Sequence, residues 1–153
     1  MPASPVTIHK PEKCDPGYTL FAHTYEDAST GEGGVAHIYL IDMEGRPVHE
    51  WIAATAVQLV ELLPDGTLVY STRDRSDLNQ AGIRMLAPDS RVTWAYHCRA
   101  DHDFHVMEND HLLIHGLIDR IVPALGTELR RNPYLIEVDR ETKELFWTWH
   151  GER

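Results

Sequence analysis

The sequence predicts an all-β protein made of three repeats, each with about four strands. Similar turn and tryptophan patterns recur about every 45 to 50 residues, which is the period of a four-stranded propeller blade. Runs such as TLVYST, VTWAY and YLIEV are rich in β-branched and aromatic residues, as strands favour. No stretch of ten or more residues has a convincing helical pattern. The predicted fold is therefore three four-stranded propeller blades in a single domain, residues 1–153.

The repeat is visible in residues at matching positions. An aspartate in the turn before the last strand recurs after 47 and then 50 residues, and a tryptophan follows in each unit. The tight turns between strands carry Pro, Asp, Asn and Gly, the residues that turns favour. The matching aspartates are Asp42, Asp89 and Asp139, and the tryptophans are Trp51, Trp94, and Trp147 or Trp149.

These signals place the blades at about residues 5–53, 56–98 and 101–151. In the first blade the predicted strands are 6–8, 18–23, 35–41 and 47–52. In the second they are 57–63, 67–72, 82–87 and 91–97. In the third they are 103–108, 111–117, 133–138 and 144–150.

Composition excludes several classes of protein. The net charge of −10 and the lack of a Lys or Arg block argue against nucleic-acid binding. No apolar run approaches the roughly 20 residues that a membrane-spanning helix needs. Cys14 and Cys98 are too few for a zinc ribbon or a disulfide-dense scaffold. The N-terminal segment lacks the pattern of a secretory signal, so the predicted localisation is cytoplasmic.

Three blades predict self-association. Propellers close into rings of typically 4 to 8 blades, so three blades leave two exposed sheet faces. Soluble monomers avoid large exposed apolar faces. We therefore expect a homodimer that completes a six-bladed ring, or a partner chain that supplies the remaining blades.

Several segments together resemble the arylsulfotransferase-like β-propellers, of which the chain would cover three N-terminal blades. They are PEKCDPGYTLF, YLIDMEGRPVHEW, LLPDGTLVY and ADHDFHVMENDHLLI. The resemblance implies a transferase that moves a sulfuryl group from a phenolic sulfate through a histidine. Only His102, with Asp103, matches a histidine-containing strand entry of that family. The other channel histidines and arginines of the family lie in later blades.

The candidate site lies at the end of the molecule where the long loops gather, because long loops on a rigid scaffold usually carry function. The segment from His97 to His105 is the densest polar stretch in the chain. A histidine oriented by a carboxylate can act as base, acid or nucleophile. The predicted catalytic residues are His102, Asp103 and His105, and the predicted substrate-binding residues are Arg99, Asp101, Gln58 and Glu61.

Three functions remain open at this stage. The leading one is an enzyme acting on a small anionic or aromatic substrate, with Arg99 as an anion clamp and no required cofactor. The second is a metal-dependent hydrolase or lyase in which His102 and His105 bind a divalent metal. The third is a non-catalytic scaffold that binds protein. His102 and His105 are three residues apart, so they converge only if His102 still lies in the loop before the strand or a bulge intervenes.

Overall fold

The computed structural model describes residues 6–26, 33–73 and 77–151, which form three antiparallel sheets. The first sheet contains β1 (Thr19–Glu26), β2 (Gly33–Ile41) and β3 (Pro47–Ala53). The second contains β4 (Ala56–Leu62), β5 (Leu68–Arg73), β6 (Gly82–Leu86) and β7 (Val92–His97). The third contains β8 (Ala100–Val106), β9 (His111–Ile121), β10 (Leu129–Asp139) and β11 (Leu145–His150). Each sheet is a meander in which sequential strands pair, and the all-β prediction is confirmed.

The first sheet corrects the prediction of four strands per unit. Val6-Thr7-Ile8 is not a strand, so this sheet has three strands and begins at β1. Ile8 is 77% exposed, so burial of its side chain does not stabilise pairing with the edge of the first sheet. Pro11 starts a short 3₁₀ turn shortly after it, and proline lacks the N–H that a strand ladder needs.

The β9–β10 hairpin corrects the length of one predicted loop. The sequence leaves residues 118–132 as a long connection, but β9 continues to Ile121 and β10 begins at Leu129. A 3₁₀ turn at Pro123–Leu125 lies in the short connection that remains. Pro123 and Gly126 therefore mark the tip of this hairpin rather than the ends of its strands.

Helical structure in the described ranges is limited to short 3₁₀ turns, as the sequence predicts. Within the same ranges, no helix is long and apolar enough to cross a membrane.

The second sheet lies between the other two. The side chains of its strands alternate between two faces, and each face packs against one of the neighbouring sheets. Leu68 and Tyr70 of β5 belong to a buried cluster with the first sheet, which includes Trp51. Val69 points the other way, into a cluster with Phe104 and other residues of the third sheet. Both faces of the second sheet are thus buried, and two separate cores join the three sheets.

The outward faces of the first and third sheets carry large apolar side chains. On the first sheet Phe21 and Ile52 are exposed, and on the third Trp147 and Trp149 are each 45% exposed. These faces match the two exposed faces expected from the sequence.

Tyr70 leads to a first prediction about stability. Its side chain is fully buried, and its hydroxyl has no hydrogen-bond partner among the described residues. A buried polar group without a partner costs free energy, so Tyr70→Phe is expected to raise the free energy of unfolding by about 1 kcal/mol. Urea denaturation measures this change. Tyr134→Phe is the matched control: the Tyr134 hydroxyl donates to the Cys98 carbonyl, so this change is expected to destabilise the protein. Equal losses in both variants would contradict the prediction.

Candidate functional site

The connection between β7 and β8 is tied to the residue just before β6 and to β9. The backbone amides of Cys98 and Arg99 both donate to the Ala81 carbonyl, at 3.2 and 2.9 Å. The Arg99 carbonyl in turn accepts from the amide of Leu117 on β9, at 3.1 Å. Arg99 adopts a left-handed backbone with φ of 51°, and His102 follows with φ of 66°. Such conformations are strained for residues other than glycine, and they cluster at functional sites.

His102 and Asp101 form an oriented pair in this segment. The His102 Nδ1 lies 2.8 Å from the Asp101 Oδ1, and the His102 side chain is 73% exposed. Because Nδ1 faces the carboxylate, Nε2 is the ring nitrogen left available. The Asp101 carbonyl accepts from Nδ1 of His115 at 2.7 Å, which anchors the pair to β9. This arrangement suits a nucleophile or general base held by a carboxylate.

A wide β-bulge carries this pair. Ala100 pairs with Gly116 and Phe104 pairs with Ile114, so three residues of β8 lie opposite His115 alone. A bulge is one of the two arrangements expected to let His102 and His105 converge, but no hydrogen bond or ion pair joins their side chains, and only His105 lines the recess on the outward face.

The predicted catalytic residues instead fall into two groups. Asp103 and His105 line a shallow recess of about 90 Å³ on the outward face of the third sheet, with His115 and Leu113. His102 does not line this recess. The Asp101–His102 pair and the Asp103–His105 recess are therefore distinct features of β8.

The two predicted residues of β4 lie on its face toward the third sheet. Gln58 reaches β8, where its Oε1 accepts from the His102 backbone amide at 3.2 Å. Glu61 is half-buried and pairs with Val69, whose side chain enters the core shared with the third sheet. Gln58 thus contacts the His102 backbone directly, whereas no hydrogen bond joins Glu61 to the Asp101–His102 pair.

Arg99, predicted to clamp an anion, takes part in a three-residue ionic cluster. Its Nη2 lies 2.6 Å from the Asp119 Oδ2, and Nε of Arg131 lies 3.1 Å from the other carboxylate oxygen. Two guanidinium groups on one carboxylate leave a net charge of +1. The hydrogen bonds from Arg99 and then Arg131 hold the pKa of Asp119 below its ordinary value.

The lowered pKa of Asp119 predicts a pH-dependent contribution to stability. A carboxyl group whose pKa is lower in the folded state stabilises the fold above its unfolded pKa of about 3.9. That contribution is lost as pH falls through the lower folded pKa. Asp119→Asn is therefore expected to lower the melting temperature at pH 7 and to differ little from the parent chain near pH 2. Asp103→Asn, at an exposed carboxylate, is the control. A melting-temperature difference that does not change with pH would contradict the prediction.

Cys98 lies beside this cluster but is a structural residue. Burial raises the pKa of its thiol to about 12, so the group stays protonated at neutral pH. Cys14 is exposed. A thiol reagent is expected to modify Cys14 in the folded protein and Cys98 only after unfolding, as mass spectrometry of the labelled peptides would show. Rapid labelling of folded Cys98 would contradict this assignment.

His111 was not among the predicted site residues, yet in the described structure its ring contacts two carboxylates and an aromatic ring. Its Nδ1 lies 2.6 Å from the Glu137 Oε1, and its Nε2 lies 3.6 Å from the Asp139 Oδ2. The edge of its ring packs on Phe146. Both ring nitrogens face carboxylates, so His111 has a structural role. The alignment of β9 with β10 could have revealed it, because His111 and Asp139 pair directly.

The metal hypothesis lacks a set of ligands in the described structure. Among residues 6–26, 33–73 and 77–151, no three His, Cys, Asp or Glu side chains are grouped to hold an ion.

Searches against protein-family models, curated proteins and solved structures find no match to this chain.

Proposed function

We propose that the three sheets are blades of a β-propeller enzyme, and that the Asp101–His102 pair reacts with a small anionic or aromatic substrate. One observation carries this proposal: the His102 ring is oriented through Nδ1 by a carboxylate at 2.8 Å while most of the side chain is exposed. A histidine held in this way has one ring nitrogen ready to attack a substrate or to take a proton.

The surroundings of His102 support a catalytic role. Three separate parts of the chain hold the segment. Gln58 of β4 binds the His102 amide, His115 of β9 binds the Asp101 carbonyl, and the carbonyl of Ala81, just before β6, binds the amides of Cys98 and Arg99. The left-handed φ of 66° at His102 is maintained against its intrinsic cost. Rigid support of this kind is what catalytic groups need to stay in a productive geometry.

The resemblance to arylsulfotransferase-like propellers suggests the reaction. Nε2 of His102 would attack the sulfur of an aryl sulfate ester, forming an N–S bond while the S–O bond to the aryl group breaks. The aryl oxide leaves with the electron pair of that bond and takes a proton from solvent. A second phenol then attacks the sulfur and releases the histidine, losing its proton to solvent. The positive cluster of Arg99, Asp119 and Arg131 favours the approach of an anionic substrate.

The experiment compares two histidine variants. Release of nitrophenol from 4-nitrophenyl sulfate is followed with phenol as acceptor, beside 4-nitrophenyl phosphate and acetate. His102→Ala is expected to lower turnover at least about 100-fold, the lower range for loss of acid–base or nucleophilic catalysis. His97→Ala is the control, because His97 is also exposed and ends β7, five residues before His102. Unchanged turnover in His102→Ala, or no turnover of any of the three esters by the parent chain, would overturn the proposal.

Asp101→Asn separates positioning from folding. This change keeps the size of the side chain but removes the charge that orients Nδ1, so kcat should fall while KM and the melting temperature change little. An equal loss of stability and activity would indicate that the pair is structural.

A further inference from the structure

Two sheet-to-sheet contacts in this protein are copies of one another. The Nε2 of His49, on β3, donates to the Pro88 carbonyl of the second sheet at 2.9 Å. The Nε1 of Trp94, on β7, donates to the Arg140 carbonyl of the third sheet at 2.7 Å. In each case the last strand of one sheet presents a ring N–H to the turn before the last strand of the next sheet.

The strand registers show that these positions are equivalent. His49 pairs with Leu40, and Trp94 pairs with Met85. Asp42 lies two residues after Leu40, and Ala87 lies two residues after Met85. The backbone amide of each closes the turn that follows. Each accepting carbonyl belongs to the residue immediately after that turn-closing amide in its own sheet: Pro88 follows Ala87, and Arg140 follows Asp139.

Trp147 is the third member of this series, and no described sheet covers it. It pairs with Glu137, and Asp139 closes a turn two residues later. Trp149 similarly occupies the position of Trp51, which is 3% exposed against the second sheet, whereas Trp149 is 45% exposed. The outward face of the third sheet thus has the residues of an interface between sheets, but none of the sheets formed by the described residues covers it.

The first sheet presents the complementary face. Its turn places Met43 immediately after Asp42, the position that Pro88 and Arg140 occupy in the other sheets. An open recess of about 570 Å³ borders Met43 and is lined also by Tyr18 and Val48. The outward face beside it carries an apolar surface of Phe21, Tyr39 and Ile52.

We propose that the outward face of the third sheet docks on the outward face of the first sheet in a second copy of this chain. In that contact Trp147 Nε1 donates to the Met43 carbonyl of the other copy, repeating the bonds made by His49 and Trp94. Each copy carries one donor face and one acceptor face, so the contact is head-to-tail. Two copies that form it twice make a closed ring of six sheets, within the range of propellers.

The test uses one variant for each face. Trp147→Glu disrupts the donor face, and Ile52→Glu disrupts the acceptor face. Light scattering is expected to show a dimer of twice 17.5 kDa for the parent chain and a monomer for each variant alone. Mixing the two variants is expected to restore a dimer, because an intact acceptor face in one then meets an intact donor face in the other.

Other outcomes would overturn the proposal. A monomeric parent chain excludes the contact, and open filaments exclude ring closure. A dimer that persists in either variant alone shows that like faces pair with each other instead. Val92→Glu, at an exposed apolar residue of the second sheet, is the control and should remain a dimer. Circular dichroism on each variant excludes unfolding as the cause of dissociation.

A finer change tests the hydrogen bond itself. Trp147→Phe keeps an apolar ring but removes the N–H donor, so the dissociation constant of the dimer is expected to rise several-fold. A dissociation constant unchanged from the parent chain would show that Trp147 does not donate in the interface.

Discussion

Replacing Gly82 with alanine is expected to lower the free energy of unfolding by more than about 3 kcal/mol, beyond the usual cost of overpacking. A Cβ at this position would lie 2.0 Å from the Tyr96 carbonyl oxygen and 2.9 Å from the His97 Cα. These atoms belong to the backbone of β7, which pairs directly with Gly82, so no side chain can rotate away. The two strands would have to separate. The Gly82 amide also donates to the buried Thr72 hydroxyl at 2.9 Å, a bond that would be lost.

Chemical denaturation of Gly82→Ala measures this loss, and Gly126→Ala is the matched control. Gly126 has open space around its Cβ position but a φ of +121°, so its substitution carries backbone strain without a clash. Its expected cost is about 1 to 3 kcal/mol. Equal losses at both positions would show that backbone conformation, rather than close strand approach, determines the role of Gly82. Because Ala81 anchors the connection that leads into β8, and so to His102, Gly82→Ala should also reduce turnover.

Phe104→Ala is expected to lower the free energy of unfolding by about 3 to 5 kcal/mol, the usual range for a buried aromatic side chain. Phe104 is 5% exposed and belongs to the core between the second and third sheets, with Val69 and Ile114. It is also the first residue of β8 to regain regular pairing after the bulge. Truncation would leave a cavity directly beneath the segment that presents His102.

Urea denaturation of Phe104→Ala checks this prediction, with Leu129→Ala as the control. Leu129 is a large apolar residue at the start of β10 that is 69% exposed, so its truncation should cost less than about 0.5 kcal/mol. A small loss for Phe104→Ala would mean that the neighbouring sheets collapse into the cavity. In that case His102 should shift as well, and turnover would fall despite the retained stability.

Much of the fold could be predicted because its signals are local. The turn residues around Asp65, Asp89 and Asn109 mark hairpins whatever surrounds them, and alternating β-branched and aromatic runs mark the strands. The missing fourth strand of the first sheet was not predictable in this way. Residues 6–8 are apolar enough for a strand, but a strand needs an edge to pair with and a face that buries its side chains.

The candidate site also combines features that local sequence signals predict with features that depend on tertiary contacts. The sequence located the polar segment around His102 and left both Asp101 and Asp103 open as the carboxylate that orients it. In the structure, Asp101 is the carboxylate that holds His102. How the extra residues of a bulge direct their side chains depends on the contacts with Gln58 and His115, which come from distant parts of the chain.

The sequence alone determined the all-β class, the division into three sheets and the positions of the tight turns, and it singled out the polar segment around His102. Tertiary structure decided which partners these side chains have. Arg99 is bound to Asp119, and His111 lies between two carboxylates, while His102 keeps one ring nitrogen available. Local signals suffice for turns and strands because their conformations depend on neighbouring residues. The pairing of an imidazole or a guanidinium group depends instead on which side chains packing brings within hydrogen-bond distance, and spacing along the chain does not specify this.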